Sequence, residues 1–318
     1  MRLTCAAALL MAILTSGCQS TAENVWAERP GPKVLTSFAP IQCFAMNVAG
    51  DDAQVLPVMT DQGPHHYDGN IRDARKLNKA DLFLINGLVL DDSIANRLKR
   101  GSSNSTLKIV SLGEAIPVDR LKKGFTCTHD HSAGHEHEHG DYDPHVWLGI
   151  PEAILMVGRI RDTLKTADPA HASGYDQRAN AFVERLQKLQ EEGKELLKGK
   201  TERRLVTFHD SLFYFGRSFG IEIADVIETT PGKEPSPKEL SSIVKLCQEK
   251  GTRVIAVEPQ YPKNTSAKTI LTELRGKKID AAFVEIDPME TARAGEITLE
   301  YFERKTRENL KNLADVLR

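Results

Sequence analysis

No apolar run in this chain is long enough to cross a bilayer. The longest, Leu9–Leu14 with its alanine flank, falls well short of the about 20 residues that a spanning helix needs. An excess of one charge is missing too, since 42 Lys+Arg against 44 Asp+Glu leave a formal net charge of -2. The broad basic face that neutralises phosphates is therefore absent, and general nucleic-acid binding is excluded. Cysteine is scarce, with 5 among 318 residues and no CxxC spacing, so a cysteine-based zinc cluster is excluded as well. No GxSxG elbow is present to serve a serine hydrolase. Neither Gly (22) nor Pro (15) is in excess, and 40% hydrophobic with 27% charged residues is a globular balance, at a length that suits two domains.

What is present begins with a basic start, a short apolar middle and a small-residue end over residues 1–17, the layout of a secretory signal. The sequence Leu14-Thr15-Ser16-Gly17-Cys18 is close to a bacterial lipobox, in which Cys18 is lipidated and opens the mature chain, with 18–32 as a linker. Ser20-Thr21-Ala22 offers an ordinary cleavage site instead. Both readings place the protein outside the cytoplasm, periplasmic or at the cell surface, and the first anchors it to a membrane. Of the cysteines beyond this segment, Cys43, Cys127 and Cys247, an oxidising compartment permits one pair. A Cys43–Cys127 bridge is one expectation; buried free thiols are the other.

From residue 33 onward short apolar runs alternate with amphipathic stretches. Val34–Phe38, Asp81–Asn86, Lys108–Ser111, Leu205–Phe208, Glu222–Ile227, Arg253–Val257 and Ala281–Ile286 read as strands, too short for helices and mostly rich in Val, Ile or Phe. The pattern predicts an α/β fold with mostly parallel sheets flanked by helices. One stretch breaks the alternation: Tyr175, Ala179, Phe182, Leu186 and Leu189 recur at steps of three or four after Asp168-Pro169. It predicts one long helix over 168–199 that stiffly joins a lobe at 33–167 to a second at 200–318. Ser236-Pro237-Lys238-Glu239 is a helix start with a capping box. No internal repeat is visible in the sequence.

The histidines carry the chemistry. His129, His131, His135, His137 and His139 lie in a tract (129–141) interleaved with acids and without apolar periodicity, which reads as a loop of weak accessory metal sites. Three others sit where the chain is rigid: His65 in Gly63-Pro64-His65-His66-Tyr67-Asp68, His145 in Asp143-Pro144-His145-Val146-Trp147-Leu148, and His209 directly after a strand. Asp287 follows the last strand in the same way, and residues just beyond strand carboxyl ends point into the cleft of an open α/β sheet. Three imidazoles and a carboxylate would complete a four-coordinate zinc site.

At these residues the chain resembles the solute-binding proteins of zinc and manganese ABC importers. The resemblance spans almost the whole mature length and rests on the PHHYD segment, DLFLINGLVLDD, DPHVWL, TFHD, GKEPSP and Val257-Glu258-Pro259-Gln260. It implies two α/β lobes bridged by one long helix, with a metal between them. Carried over by motif, its ligands fall on His65 (or its neighbour His66), His145, His209 and Asp287, with Glu234 as the alternative carboxylate. The chain departs from the pattern at Gly63, where an acid often stands, and at Gly69, where proline is usual. Manganese members exchange the third histidine for a carboxylate, so His209 and the His-rich tract imply a zinc member. The resemblance further implies a monomeric, non-enzymatic Zn2+ carrier whose partner is an importer permease. The alternatives are a zinc buffer or adhesin without an importer, a manganese-binding relative, and, more remotely, a zinc hydrolase, which needs an open water position that a closed His/Asp set does not leave.

Overall fold

The computed structural model describes residues 25–65, 67–69, 71–124, 141–228, 236–259, 265–293 and 295–318. Cys18, His66, Cys127, Glu234 and the tract histidines His129, His131, His135, His137 and His139 lie outside the described residues.

The first lobe runs β1 (Lys33–Thr36), α1 (Ala39–Ala49), β2 (Gln54–Pro57), α2 (Ile71–Leu77), β3 (Leu82–Ile85), α3 (Asp92–Gly101) and β4 (Lys108–Ser111). All pairings are parallel, in the order β2-β1-β3-β4. Then come α4 (Ile150–Ala167) and α5 (Ala172–Leu196). The second lobe runs β5 (Arg204–His209), α6 (Phe213–Phe219), β6 (Glu222–Glu228), α7 (Pro237–Lys250), β7 (Val254–Val257), α8 (Thr265–Gly276), β8 (Ala282–Glu285) and α9 (Tyr301–Val316). Its sheet is again parallel, in the order β6-β5-β7-β8. The two lobes therefore repeat one topology that the sequence does not display.

Each sequence-read strand is found, shifted by a residue or two at its ends. Phe38 is the exception that has a reason: Pro40 sits in the first turn of α1, so Phe38 becomes the residue that enters that helix, and β1 stops at Thr36. The strand that went unread is β2, only four residues long and closed by Pro57. The capping box is present, with the Ser236 hydroxyl accepting from the Glu239 amide and the Glu239 carboxylate accepting from the Ser236 amide.

The long helix is α5, 25 residues and so about 37 Å at about 1.5 Å per residue, with Tyr175, Ala179, Phe182, Leu186 and Leu189 all buried. It starts a turn later than read, because Asp168 closes α4 and its carboxylate accepts from His171 Nδ1 (2.7 Å) and the Tyr175 hydroxyl (2.9 Å). Gly193, one turn further along the buried stripe, is needed small: a Cβ there would lie 2.4 Å from the Phe219 ring and 2.7 Å from Leu310. α5 can therefore lie close against α6 and α9, and one continuous apolar core runs from Val34 and Phe44 through Phe182 to Phe215 and Phe302.

Cys43 is a free, fully buried thiol on α1, bonded through Sγ to the Leu299 carbonyl (3.5 Å), and burial pushes it up to about 12; Cys127, its expected partner, lies outside the described residues. Cys247 is likewise a free buried thiol.

Candidate metal centre

Two loops and a strand end bring histidines to one point between the carboxyl ends of the two sheets. His209 is the last residue of β5, a central strand, and is 7% exposed. It sits where the strand order of the second sheet reverses, between β5 and β7, the place where open parallel sheets bind ligands. His145 is 3% exposed and enters a 3-10 turn, Val146–Leu148, after Asp143-Pro144. The Asn86 amide fixes that proline by donating to its carbonyl (3.0 Å). His65 lies in the loop after β2. Behind it the Tyr67 hydroxyl donates to the buried Asp73 carboxylate, and Arg97 donates to the Asp68 carbonyl (3.1 Å).

The coordinating atoms of His65, His145 and His209 all lie within 4.8 Å of one another. The Nε2 atoms of His65 and His145 are 3.4 Å apart, and their ring centroids lie 5.0–5.5 Å from one another and from that of His209. A tetrahedral ion with metal–nitrogen bonds of about 2.0–2.1 Å has ligands about 3.4 Å apart, which the His65–His145 pair matches.

Two of the rings are held from behind. Asp143 Oδ1 accepts from both the His145 amide (2.9 Å) and His145 Nδ1 (2.8 Å), which turns Nε2 toward the other rings. Glu258, directly after β7, lies 3.4 Å from His209 Nδ1 and accepts from the Ser211 hydroxyl (3.0 Å). Both residues fall inside motifs read from sequence, DPHVWL and Val257-Glu258-Pro259, yet their supporting placement is seen only in three dimensions.

Asp287 is not brought to the imidazoles. Its Oδ2 pairs with Lys305 (2.9 Å), its Oδ1 accepts from the Met289 amide (2.8 Å), and Asn309 holds its backbone on both sides (2.8 Å each). The carboxylate that does reach the cluster is three residues further on. Glu290 is 5% exposed, and its Oε1 lies 3.5 Å from both His65 Nε2 and His145 Nε2 without making a hydrogen bond. Asp287 builds the turn that delivers it: Met289 takes a left-handed backbone (φ 63°), and Trp147 Nε1 donates to the Pro288 carbonyl (2.8 Å) from the other lobe. Gly63 matters here too, because a Cβ at that position would come within 3.3 Å of Glu290. No sequence signal separates Glu290 from other loop acids.

The electrostatics follow from burial among these groups. Burial, the largest influence, lowers His65 against the pull of Glu290. Burial opposes charge on His145 as well, but the Asp143 and Glu290 carboxylates outweigh it and raise that imidazole to about 10. Glu290 is held well below the usual carboxylate range: burial works against its charge, and His65 and His145 prevail. Without a metal, the proton of the centre therefore resides on His145.

A family model described as "ZnuA: Zinc-uptake complex component A periplasmic" matches residues 34–316. The zinc-binding protein AdcA of Streptococcus pyogenes is 27% identical over 299 residues, covering 89% of this chain and 56% of AdcA. The chain thus spans little more than half the length of that curated relative. The manganese-binding lipoprotein MntA of Halalkalibacterium halodurans is 24% identical over 259 residues, covering 80% of each chain. Among solved structures, AdcAII of Streptococcus pneumoniae superposes with a TM-score of 0.71 at 25% identity, covering 91% of this chain and 100% of that one.

Proposed function

We propose, on the premise that the chain belongs to the ZnuA family of periplasmic zinc-uptake components, that it binds one Zn2+ between its lobes outside the cytoplasm. From there it delivers the ion to the permease of an ABC importer. The observation that carries this reading is the convergence of His65, His145 and His209, from two loops and a strand end, within 4.8 Å of one another, with the first two at 3.4 Å. Glu290 is the fourth ligand, in place of Asp287. Three imidazoles favour zinc over manganese, which prefers oxygen donors. Anchoring through Cys18 and a monomeric state belong to the same reading.

Binding, not catalysis, suits the donor set. Four protein ligands leave a zinc ion no open position for an activated water. The one HExxH spacing, His135-Glu136-His137-Glu138-His139, falls in the His/acid tract, where no apolar periodicity marks the helix such a motif needs. Titration calorimetry with a competing chelator tests the proposal: one tight zinc per chain is expected, with manganese much weaker. Equal or tighter manganese binding would move the protein to the manganese carriers.

Proton competition sets the pH dependence. His145 must lose its proton to bind, and that proton is held up to about pH 10 by Asp143 and Glu290. Apparent zinc affinity should therefore rise about tenfold per unit between roughly pH 7 and 9, with about one proton released per zinc. A pH-independent affinity in that window, measured by chelator competition, would show His145 already neutral.

The His-rich tract would act as a set of weak accessory sites, because ordering a polar loop around a metal costs chain entropy that the rigid centre avoids. Deleting residues 130–140 should leave the tight site within about twofold and remove only the weaker binding events. A single zinc per chain with and without the tract would make it a spacer.

A further inference from the structure

We propose that Lys122 is a positioning residue that clasps the two lobes behind the metal centre and sets how long the cation stays bound. The inference rests on the reading of His145 and His209 as ligands. Lys122 belongs to the first lobe, in the segment after β4. Its Nζ donates to both carboxylate oxygens of Asp210 (2.7 and 2.8 Å), the second-lobe residue next to His209. The same Nζ lies 3.6 Å from Asp143 Oδ2, whose other oxygen holds the His145 ring. Asp143 Oδ2 is buried and makes no hydrogen bond, so the ammonium is the charge that compensates it there. One cation thus faces the carboxylate behind one ligand and the carboxylate beside another, on opposite sides of the cleft.

The rest of Lys122 is fixed in the same joint. Its amide donates to the Tyr214 hydroxyl (3.1 Å), and its carbonyl accepts from the Asp143 amide (2.9 Å). The Tyr214 hydroxyl in turn donates to the Asp143 carbonyl (3.0 Å). Nζ also stands 5.2 Å from the centroid of the Phe213 ring on α6. A flexible lysine so constrained couples the rotation of its lobe to the position of Asp210. A second tie between the lobes, Glu152 with Arg120 and Arg217 (2.9 Å each), touches neither a proposed ligand nor its supporting carboxylate. Arg217 also stacks on Phe213 and Tyr214 (5.4 and 5.1 Å), so Glu152, the acid of this tie, serves as the control.

Removing the lysine has two electrostatic and mechanical consequences. Loss of a positive charge favours arrival of Zn2+, and loss of the clasp favours departure. The prediction therefore concerns rates: zinc release, driven by excess chelator in a stopped-flow, should quicken about tenfold in K122M, the low end of the range for supporting residues around a metal. Equilibrium affinity should fall less than the release rate rises. K122R should restore slow release to within about threefold. D210N should also release about tenfold faster, and K122M/D210N no faster than either alone, because both changes open the same contact. In the metal-free protein, K122M and D210N should speed hydrogen exchange at the Asp143 amide. E152Q, which loosens the other tie, should lower the melting temperature without quickening release. Release within twofold of wild type in K122M, additive effects in the double variant, or equal quickening in E152Q would each overturn the clasp. A wild-type protein that takes up no zinc would instead overturn the function proposed above.

Discussion

His209→Ala should weaken zinc binding by on the order of a few hundredfold to a thousandfold. Four-ligand zinc sites in small domains bind with roughly 10–16 kcal/mol, so one nitrogen donor is worth about 3–4 kcal/mol when no other group can replace it. Replacement is poor at this position. His209 is 7% exposed at the end of a central strand, so a water entering the gap has few partners and its own orientation to lose. The variant is also the cleanest of the three to interpret. Glu258 behind the ring keeps the Ser211 hydroxyl as a donor when the imidazole goes, so no buried carboxylate is stranded. His145→Ala should weaken binding equally but also destabilise the metal-free fold, because buried Asp143 loses the ring it holds. His65→Ala should cost least, since that side chain is 20% exposed and water can take the vacated position. Calorimetry with chelator competition gives the order. An unchanged affinity in His209→Ala would remove it from the ligand set and, with it, the reading of the cleft as a three-imidazole site.

How much of this centre the sequence discloses depends on how local each cause is. The strands of both sheets are legible because each is a short apolar run bounded by turn residues. The long helix is legible because Tyr175 to Leu189 share one face. The three histidines are legible because each is adjacent to a rigid feature, a proline for His65 and His145 and a strand end for His209. The carboxylate is not legible by that rule. Asp287 occupies the place after β8 that His209 occupies after β5, but the two loops differ. After β5 the chain turns at once into α6, whereas after β8 it runs on to α9, and Asn309 of that helix captures Asp287. The left-handed Met289 then aims Glu290 inward, and nothing in a run of Asp-Pro-Met-Glu announces that turn. The surroundings of Cys43 are equally non-local, since its Sγ meets the carbonyl of Leu299, a residue more than two hundred positions away.

The sharpest test of that correction compares two acids three residues apart. Glu290→Gln should weaken zinc binding by about a hundredfold. The amide keeps the size of the side chain but removes the negative charge set 3.5 Å from both His65 and His145, and the proposed zinc–carboxylate bond is replaced by a weak neutral donor. Asp287→Asn should change affinity by less than about tenfold. Its Oδ1 can still accept from the Met289 amide, so the turn that presents Glu290 survives, and only the partly exposed pair with Lys305 is lost. Were Asp287 the ligand, the two effects would exchange places. A second observable reads the charge of Glu290 on His145 independently of the affinity itself. Glu290 is one of two carboxylates that hold the proton on His145, the other being Asp143. In Glu290→Gln that proton should leave at lower pH, so the rise of affinity with pH should flatten between pH 7 and 9 even though the affinity itself is low. Asp287→Asn should keep the full slope. A Glu290→Gln protein with wild-type affinity and wild-type slope would leave the three imidazoles to close their coordination with water.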